Sequence, residues 1–302
     1  MIYMKILLTG ATGLLGYNLL RLLLETGYEI IATYHNSTLD DFLNDIAWVR
    51  VDLEDQEKIM QAVREVAPDV IMHAAAYTDV DGCEVNREKA YRINYLATSA
   101  IARIAGKVKA FVVYVSTDYV FDGEKGMYKE NDLPNPVNYY GFTKLLGEVA
   151  ISSILPETSL IVRTSGLYGY SPTGKKNFGI ISFEKLLRGE EVYAFYDQIL
   201  SPTYAYALAM ELIKIVEKKI TGIIHLAGER LSRYEFARTL AKVLGADEAL
   251  IKPISVNDVK LIAKRPKDSS LDTAEARVQG FSIPPVAECL THFTNAYRKE
   301  VI

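Results

Sequence analysis

Tyr140 and Lys144 stand four residues apart in Asn138–Ser153, a stretch that reads as helix, so a phenol and an ammonium share one helical face. That pair suits carbonyl reduction. The alkoxide that forms needs a proton, and a phenol of ordinary pKa ~10 is a slow donor. A neighbouring ammonium favours the phenolate and lowers that pKa; it can also hold a ribose hydroxyl. Tyr and Lys meet at this spacing by chance in many helices, so the pair needs context. Tyr139, next door, has no lysine four residues on. Ser116-Thr117-Asp118 closes the apolar run Ala110–Ser116, at the carboxyl edge where parallel sheets bind ligands. A Ser or Thr hydroxyl there can bond a substrate carbonyl or cap a turn.

A second constellation suits a dinucleotide. Gly10-Ala11-Thr12-Gly13-Leu14-Leu15-Gly16 follows an apolar run, Met4–Thr9, and opens a helical pattern, Leu14–Glu25, for which Gly27 is the expected C-terminal cap. Glycines let the backbone turn tightly against a pyrophosphate, and the helix start offers free N–H groups with partial positive charge. The glycine spacing is that of the extended short-chain dehydrogenase/reductases. An acid after the second strand would select NAD through the ribose 2′-hydroxyl. Here that strand ends Tyr34-His35-Asn36-Ser37, with neither acid nor arginine, which leans toward NADPH and leaves NADH open. His35 is a loop histidine or a phosphate ligand. Asp52 can accept from the adenine amino group or cap the helix expected near Glu54.

The elements that must position these groups alternate. Strands are expected at Met4–Thr9, Tyr28–Tyr34, Trp48–Val51, Val70–Ala74, Ala110–Ser116 and Ser159–Thr164, with helices at Leu14–Glu25, Glu54–Val66, Arg87–Ala105 and Asn138–Ser153. Such alternation predicts an α/β fold, a Rossmann-type doubly wound parallel sheet. Beyond it come helices at Ser182–Arg188, Tyr204–Lys219 and Arg233–Leu244, and a strand at Gly222–Ala227. The expected division is a nucleotide-binding lobe over 1–165, rejoined by 202–227, and a smaller, sequence-discontinuous α/β substrate lobe from 166–201 and 228–302.

Composition excludes several classes. Of 302 residues, 49% are hydrophobic and 24% charged, which rules out wholesale disorder. Lys plus Arg number 34 against 38 Asp plus Glu, a net charge of −4 without a basic block, so a nucleic-acid partner is not expected. Two cysteines, Cys83 and Cys289, make neither a disulfide framework nor a zinc cluster. No apolar run approaches the ~18 residues of a membrane span. The first apolar stretch runs into the glycine turn, not a cleavage site, and a cytoplasmic protein follows.

Longer strings carry a resemblance. His73-Ala-Ala-Ala-Tyr77-Thr78-Asp79-Val80-Asp81, Asn94, Val115-Ser-Thr-Asp-Tyr-Val-Phe-Asp-Gly123, Tyr140-Gly-Phe-Thr-Lys-Leu-Leu-Gly-Glu148, Arg163-Thr-Ser165, Asp197-Gln198 before Ser201-Pro-Thr203, and Arg265-Pro266 resemble the dTDP-4-dehydrorhamnose reductases over nearly the whole chain. The resemblance implies Thr117, Tyr140 and Lys144 as the catalytic set. The cofactor residues are then Gly10, Thr12, Gly13, Leu14, Leu15, Gly16, Tyr34, His35, Asn36, Asp52, Leu53, Ala74, Ala75, Ala76, Tyr77 and Asn94, besides Tyr140 and Lys144. The substrate residues are Thr78, Val80, Thr117, Asp118, Tyr119, Gly166, Asn177, Gln198 and Arg265. Arg265 is a guanidinium fork for the diphosphate or one half of an ion pair.

The sequence departs from that pattern in three places. Gly166 stands where the family has tryptophan, with Tyr168 or Tyr170 as the nearest substitutes. Tyr206-Ala207 lacks the family aspartate. Asn18 replaces an acid that helps some members dimerise through a metal, and Glu190-Glu191 reads as a solvated turn, so no metal is expected and homodimerisation stays open. The implied activity is NAD(P)H-dependent reduction of a nucleotide-linked 4-ketosugar, dTDP-4-dehydro-L-rhamnose first. The β subunit of methionine adenosyltransferase resembles the same family and lacks the tryptophan, which keeps a non-catalytic regulatory reading beside it. Another 4-ketosugar, or an epimerisation, is the third; the STDYVFDG string argues against the epimerase.

Overall fold

The computed structural model describes residues 4–36, 39, 46–173 and 176–301; Ser37 lies outside them. The first half alternates as its periodicity predicts: β1 (Lys5–Thr9), α1 (Leu14–Leu23), β2 (Glu29–Tyr34), β3 (Ala47–Arg50), α2 (Gln56–Val66) and β4 (Val70–His73). Then come α3 (Val80–Val85), α4 (Arg87–Ala90), a π-helical turn at Tyr91–Leu96, α5 (Ala97–Val108), β5 (Phe111–Thr117), α6 (Tyr139–Ile154) and β6 (Ser159–Thr164). The second half holds α7 (Phe178–Leu187), β7 (Val192–Phe195), β8 (Ile199–Leu200), α8 (Ala205–Lys218), β9 (Gly222–His225), β10 (Leu231–Ser232), α9 (Arg233–Leu244), β11 (Ile251–Ile254), α10 (Ala274–Val278) and α11 (Val286–Val301).

Seven strands form one parallel sheet in the order β3-β2-β1-β4-β5-β6-β9. Side chains alternate across it, as strand pleating requires. Ile6 and Leu8 of β1 join the core shared with Leu19 and Leu20 of α1 and with Leu208 and Leu212 of α8. Leu7 points the other way, into the core with Ile59 and Val63 of α2 and Ile101 and Ile104 of α5. Each of these leucines and isoleucines is worth about 2 kcal/mol of burial. A third core, with Phe183, Phe236, Leu240 and Phe293, gathers α7, α9 and α11. Two small pairings accompany it, β7 with β11 and β8 with β10.

Several boundaries move for identifiable reasons. The helix expected to run unbroken over Arg87–Ala105 contains the π-helical turn, which turns Asn94 inward to full burial, and α3 precedes it. The α1 helix ends at Leu23, where the Thr26 hydroxyl bonds the Leu23 carbonyl; Leu24, not Gly27, is its C-cap. Asp55 caps α2, bonded by the Lys58 amide, so that helix starts two residues later than expected. Asn177 caps α7 through the Ile180 amide and starts it four residues early. No helix among the described residues is long and apolar enough to cross a membrane.

Candidate active site

Parallel pairing aligns the strand ends. Thr9 pairs with His73, His73 with Tyr114, and Thr117 with Thr164, so the segments after β1, β4, β5 and β6 emerge on one edge. The Gly10 turn lies here against the segment after β4. Gly10 adopts φ +72°, and a Cβ on it would sit 2.7 Å from the Ala75 Cα. On Gly16 a Cβ would be 2.0 Å from the Gly10 carbonyl oxygen, whereas on Gly13 it would meet nothing closer than 3.3 Å. Gly10 and Gly16 therefore serve the turn and its packing. Gly13 is the N-cap of the ten-residue α1 and no side chain caps that helix, which leaves its first amides for an anion. This geometry fits the pyrophosphate of a dinucleotide. Thr12 sits in the turn, its carbonyl bonded by the Thr173 hydroxyl, and Leu14 and Leu15 are the first two helical residues.

At the neighbouring strand ends, Tyr34 packs edge-on against Trp48, and His35 and Asn36 are exposed. Asp52 serves the backbone: one oxygen accepts from the Glu54 amide at 2.9 Å, and the other lies 3.4 Å from His35 Nε2. Leu53 packs beside it against the α2 core. Sequence reasoning missed Arg50, whose signal is its register. β2 pairs Tyr34 with Arg50, and the Arg50 Nε donates to the His35 carbonyl at 3.2 Å. An exposed guanidinium thus stands where the second strand itself offers none.

Ala74, Ala75 and Ala76 are half-buried beneath the glycine turn, and the Ala75 amide donates to the Thr9 hydroxyl. Asn94 clamps Tyr77: its Oδ1 accepts from the Tyr77 amide at 2.8 Å, and its Nδ2 donates to the Tyr77 carbonyl and to Thr143 Oγ1 on α6, each at 3.1 Å. Its place is to hold the segment after β4 against the helix bearing Tyr140. Thr78 is exposed, and Val80 opens α3 behind the Asp79 cap.

The helix α6 starts at Asn138, which accepts from the Gly141 amide. A Cβ on Gly141 would sit 2.0 Å from the Tyr119 carbonyl oxygen, so glycine lets the helix press against the end of β5. That contact brings Tyr140 to Thr117, close enough for a hydrogen bond that lowers the phenol's pKa, while burial, the larger effect, raises it well above 10. Lys144 faces inward. Its Nζ donates to the Val115 carbonyl at 2.8 Å and lies 4.1 Å from the centre of the Tyr114 ring. Burial lowers its pKa to about 7, against an upward pull from Glu148. Glu148, one turn on, accepts from Ser116 and is gripped by Arg163 through Nε and Nη2.

Asp118 turns away from the cleft. Ser165 and Ser269 donate to its Oδ2 and Thr117 to its Oδ1, and burial still raises its pKa to about 6. Tyr119 remains at the site, edge-on to Tyr140 with ring centres 5.9 Å apart, and its hydroxyl accepts from Gln198 Nε2 at 3.1 Å. Arg265 resolves to the ion-pair alternative. Its Nη1 and Nη2 meet the two oxygens of Asp81 at 3.0 and 2.9 Å, a fork already filled. Asn177 spends its side chain on capping α7 and on the Gly169 carbonyl.

The chain matches the model described as the RmlD substrate binding domain over residues 4–299. It belongs to this family. A crystal structure of a hypothetical dTDP-4-dehydrorhamnose reductase from Sulfolobus tokodaii is 42% identical, with a TM-score of 0.83 over 94% of this chain and 98% of that one. The dTDP-4-dehydrorhamnose reductase of Bacillus anthracis, solved in complex with NADP, is 31% identical with a TM-score of 0.86, covering 98% of this chain and all (100%) of that one. The β subunit of methionine adenosyltransferase 2 from Danio rerio is 29% identical over 98% of this chain and 90% of its own length.

Gly166 lines a cavity of about 200 Å³ walled by Tyr168, Phe178, Leu200 and Phe236. Of the two tyrosines weighed as aromatic substitutes, Tyr168 is in that wall; Tyr170 packs edge-on to Tyr17 and Tyr297 instead. Phe178 and Phe236 were not foreseen, because they reach the cavity from α7 and α9. Asn18 donates to the Leu14 and Tyr170 carbonyls. Glu190 pairs with Arg188 and Glu191 with Lys252 at the surface.

Proposed function

We propose that this chain reduces the C4 ketone of a nucleotide-linked deoxysugar with NADPH, with dTDP-4-dehydro-L-rhamnose as the first substrate to test. The observation that carries the reading is the convergence of Thr117, Tyr140 and Lys144 on the sheet edge that also holds the uncapped start of α1. Close likeness to a reductase solved with NADP supports it. The exposed Arg50 favours the 2′-phosphate, so NADPH is placed ahead of NADH.

A reduced nicotinamide cofactor held by the Gly10 turn and the start of α1 would supply the hydride for C4. Tyr140 hydrogen-bonds the carbonyl oxygen and orients it, and Thr117 gives a second bond by rotating its hydroxyl proton away from Asp118 Oδ1. Tyr140 gives that oxygen its phenolic proton as negative charge develops, and the Lys144 ammonium stabilises the phenolate left behind. We read 1–165 with 202–227 as the nucleotide lobe and 166–201 with 228–302 as the sugar lobe. The shared core of α1, α8 and β9 supports that division.

Purified protein mixed with NADPH and dTDP-4-dehydro-L-rhamnose is expected to consume the nicotinamide absorbance, and Tyr140→Phe to abolish it. If a panel of 4-ketosugar nucleotides leaves NADPH untouched while the protein binds a methionine adenosyltransferase, the regulatory reading replaces this one.

A further inference from the structure

Arg233 sits at the start of α9, and it is the charged side chain among the residues lining the Gly166 cavity. Its direction is fixed. The Nε donates to Gln198 Oε1 at 2.8 Å, and the guanidinium lies 5.0 Å from the centre of the Phe178 ring. Gln198 in turn bonds Tyr119, which stands edge-on to Tyr140, so an ordered relay runs from the cavity to the proton donor.

Its charge is not balanced as its neighbours' are. Arg163 has Glu148 and Arg265 has Asp81. Arg233 closes no ion pair among the described residues, and its partners Gln198 and Phe178 are neutral. Burial disfavours its charged form. The Tyr119 hydroxyl and the charge of Asp118 act the other way, and the like charge of Arg265 adds to the cost. The Asp118 carboxyl is already engaged by three hydroxyls. Arg233 is half-buried, and a cation so shielded and facing a cavity is stabilised most by an anion that enters it.

We propose that Arg233 is the substrate's anion-binding residue, taking an oxyanion of the bound nucleotide sugar, either of its diphosphate or of a carboxylate on its sugar. This rests on reading the cleft as a nucleotide-sugar site. It gives Arg233 the role that the sequence assigned to Arg265, and it makes the Gly166 cavity part of substrate choice.

Calorimetry on the full chain separates the two sources without turnover. Wild type, Arg233→Met and Arg233→Lys are titrated with dTDP and thymidine, and then with UDP-glucuronate and UDP-glucose. If the diphosphate is the anion, the preference for dTDP over thymidine drops roughly 10- to 100-fold in Arg233→Met and less in Arg233→Lys, which keeps a charge without the fork. If a sugar carboxylate is the anion, wild type prefers UDP-glucuronate and Arg233→Met loses that preference. A purely structural arginine would weaken all four ligands alike. That result, or a folded variant keeping both wild-type ratios, overturns the proposal. Absence of reductase activity would sink the proposed reaction and leave these ratios readable.

Discussion

The Lys144 ammonium donates to the Val115 carbonyl at 2.8 Å, one strand residue short of the Ser116-Thr117 edge. Lys144 is thereby tethered below the phenol it is proposed to serve, at a pKa of about 7. The ammonium form stabilises the Tyr140 phenolate, so kcat/KM for ketone reduction falls as pH rises through about 7. Lys144→Arg carries a charge that no working pH removes, and it should move that fall upward by more than about one unit. A wild-type profile flat across roughly pH 6 to 9 refutes this role.

Glu148 and Arg163 are both nearly inaccessible, at 4% and 2% side-chain exposure. Removing one strands the charge of the other. Glu148→Ala is expected to cost about 3–5 kcal/mol in urea unfolding, and the double variant with Arg163→Leu to recover much of it. Additive losses, with the double variant costing the sum of the two single variants, would show that the pair is not coupled.

Acid stability should follow two buried histidines. His73 bridges Thr9 and Thr98 in the core; burial, helped by the Lys144 charge, lowers its pKa to about 3. Burial and Arg163 do the same for His225, also to about 3. Between about 6.5 and 3 the unfolded chain binds protons that the native state refuses, so stability present above pH ~6.5 is lost on acidification through this window. Asp118 opposes this between 3.8 and about 6, where the native state holds the extra proton. Urea midpoints measured downward from pH 7 should fall, and fall more steeply in Asp118→Asn. A constant midpoint down to about pH 4 would contradict the histidine assignment.

The glycine turn separates fold from binding. Gly16→Ala forces a Cβ to 2.0 Å from the Gly10 carbonyl oxygen and should destabilise the fold by several kcal/mol or prevent folding. Gly13→Ala has an ordinary φ of −80° and meets only the Gly10 carbonyl oxygen, at 3.3 Å, so it should lower the melting temperature far less than Gly16→Ala and weaken NADPH binding, read by fluorescence titration. Tight NADPH binding by Gly13→Ala would move the pyrophosphate elsewhere.

Arg50→Ser should raise the KM for NADPH about tenfold or more and leave that for NADH nearly unchanged, since only the former carries the 2′-phosphate. Equal effects on both would remove Arg50 from cofactor choice.

The sheet and the placing of Tyr140 and Lys144 on one helical face were legible because their signals are local: apolar runs ended by glycine, and two side chains one helical turn apart. Arg50 and Arg233 were not. Each becomes relevant only through pairing with a distant segment, β2 for the first and Gln198 for the second. Arg265 and Asp118 illustrate the converse. Their residue types suit a sugar diphosphate and a sugar hydroxyl, yet Asp81, and Ser165 with Ser269, spend those groups within the fold. The π-helical turn that swings Asn94 inward left no mark in the hydrophobic periodicity of its helix.

The last strand of the sheet, β9, joins β6 only after the chain has run through α7 and α8. A fragment cut after Thr164 would therefore end in a bare β6 edge, every residue of which is buried in the whole chain, and the face of α1 that packs on α8 would be open to water. Such an edge is a template for other chains. The residues up to Thr164 are therefore expected to associate when cut free, and biosynthesis must deliver about 60 further residues, through His225, before the sheet is sealed.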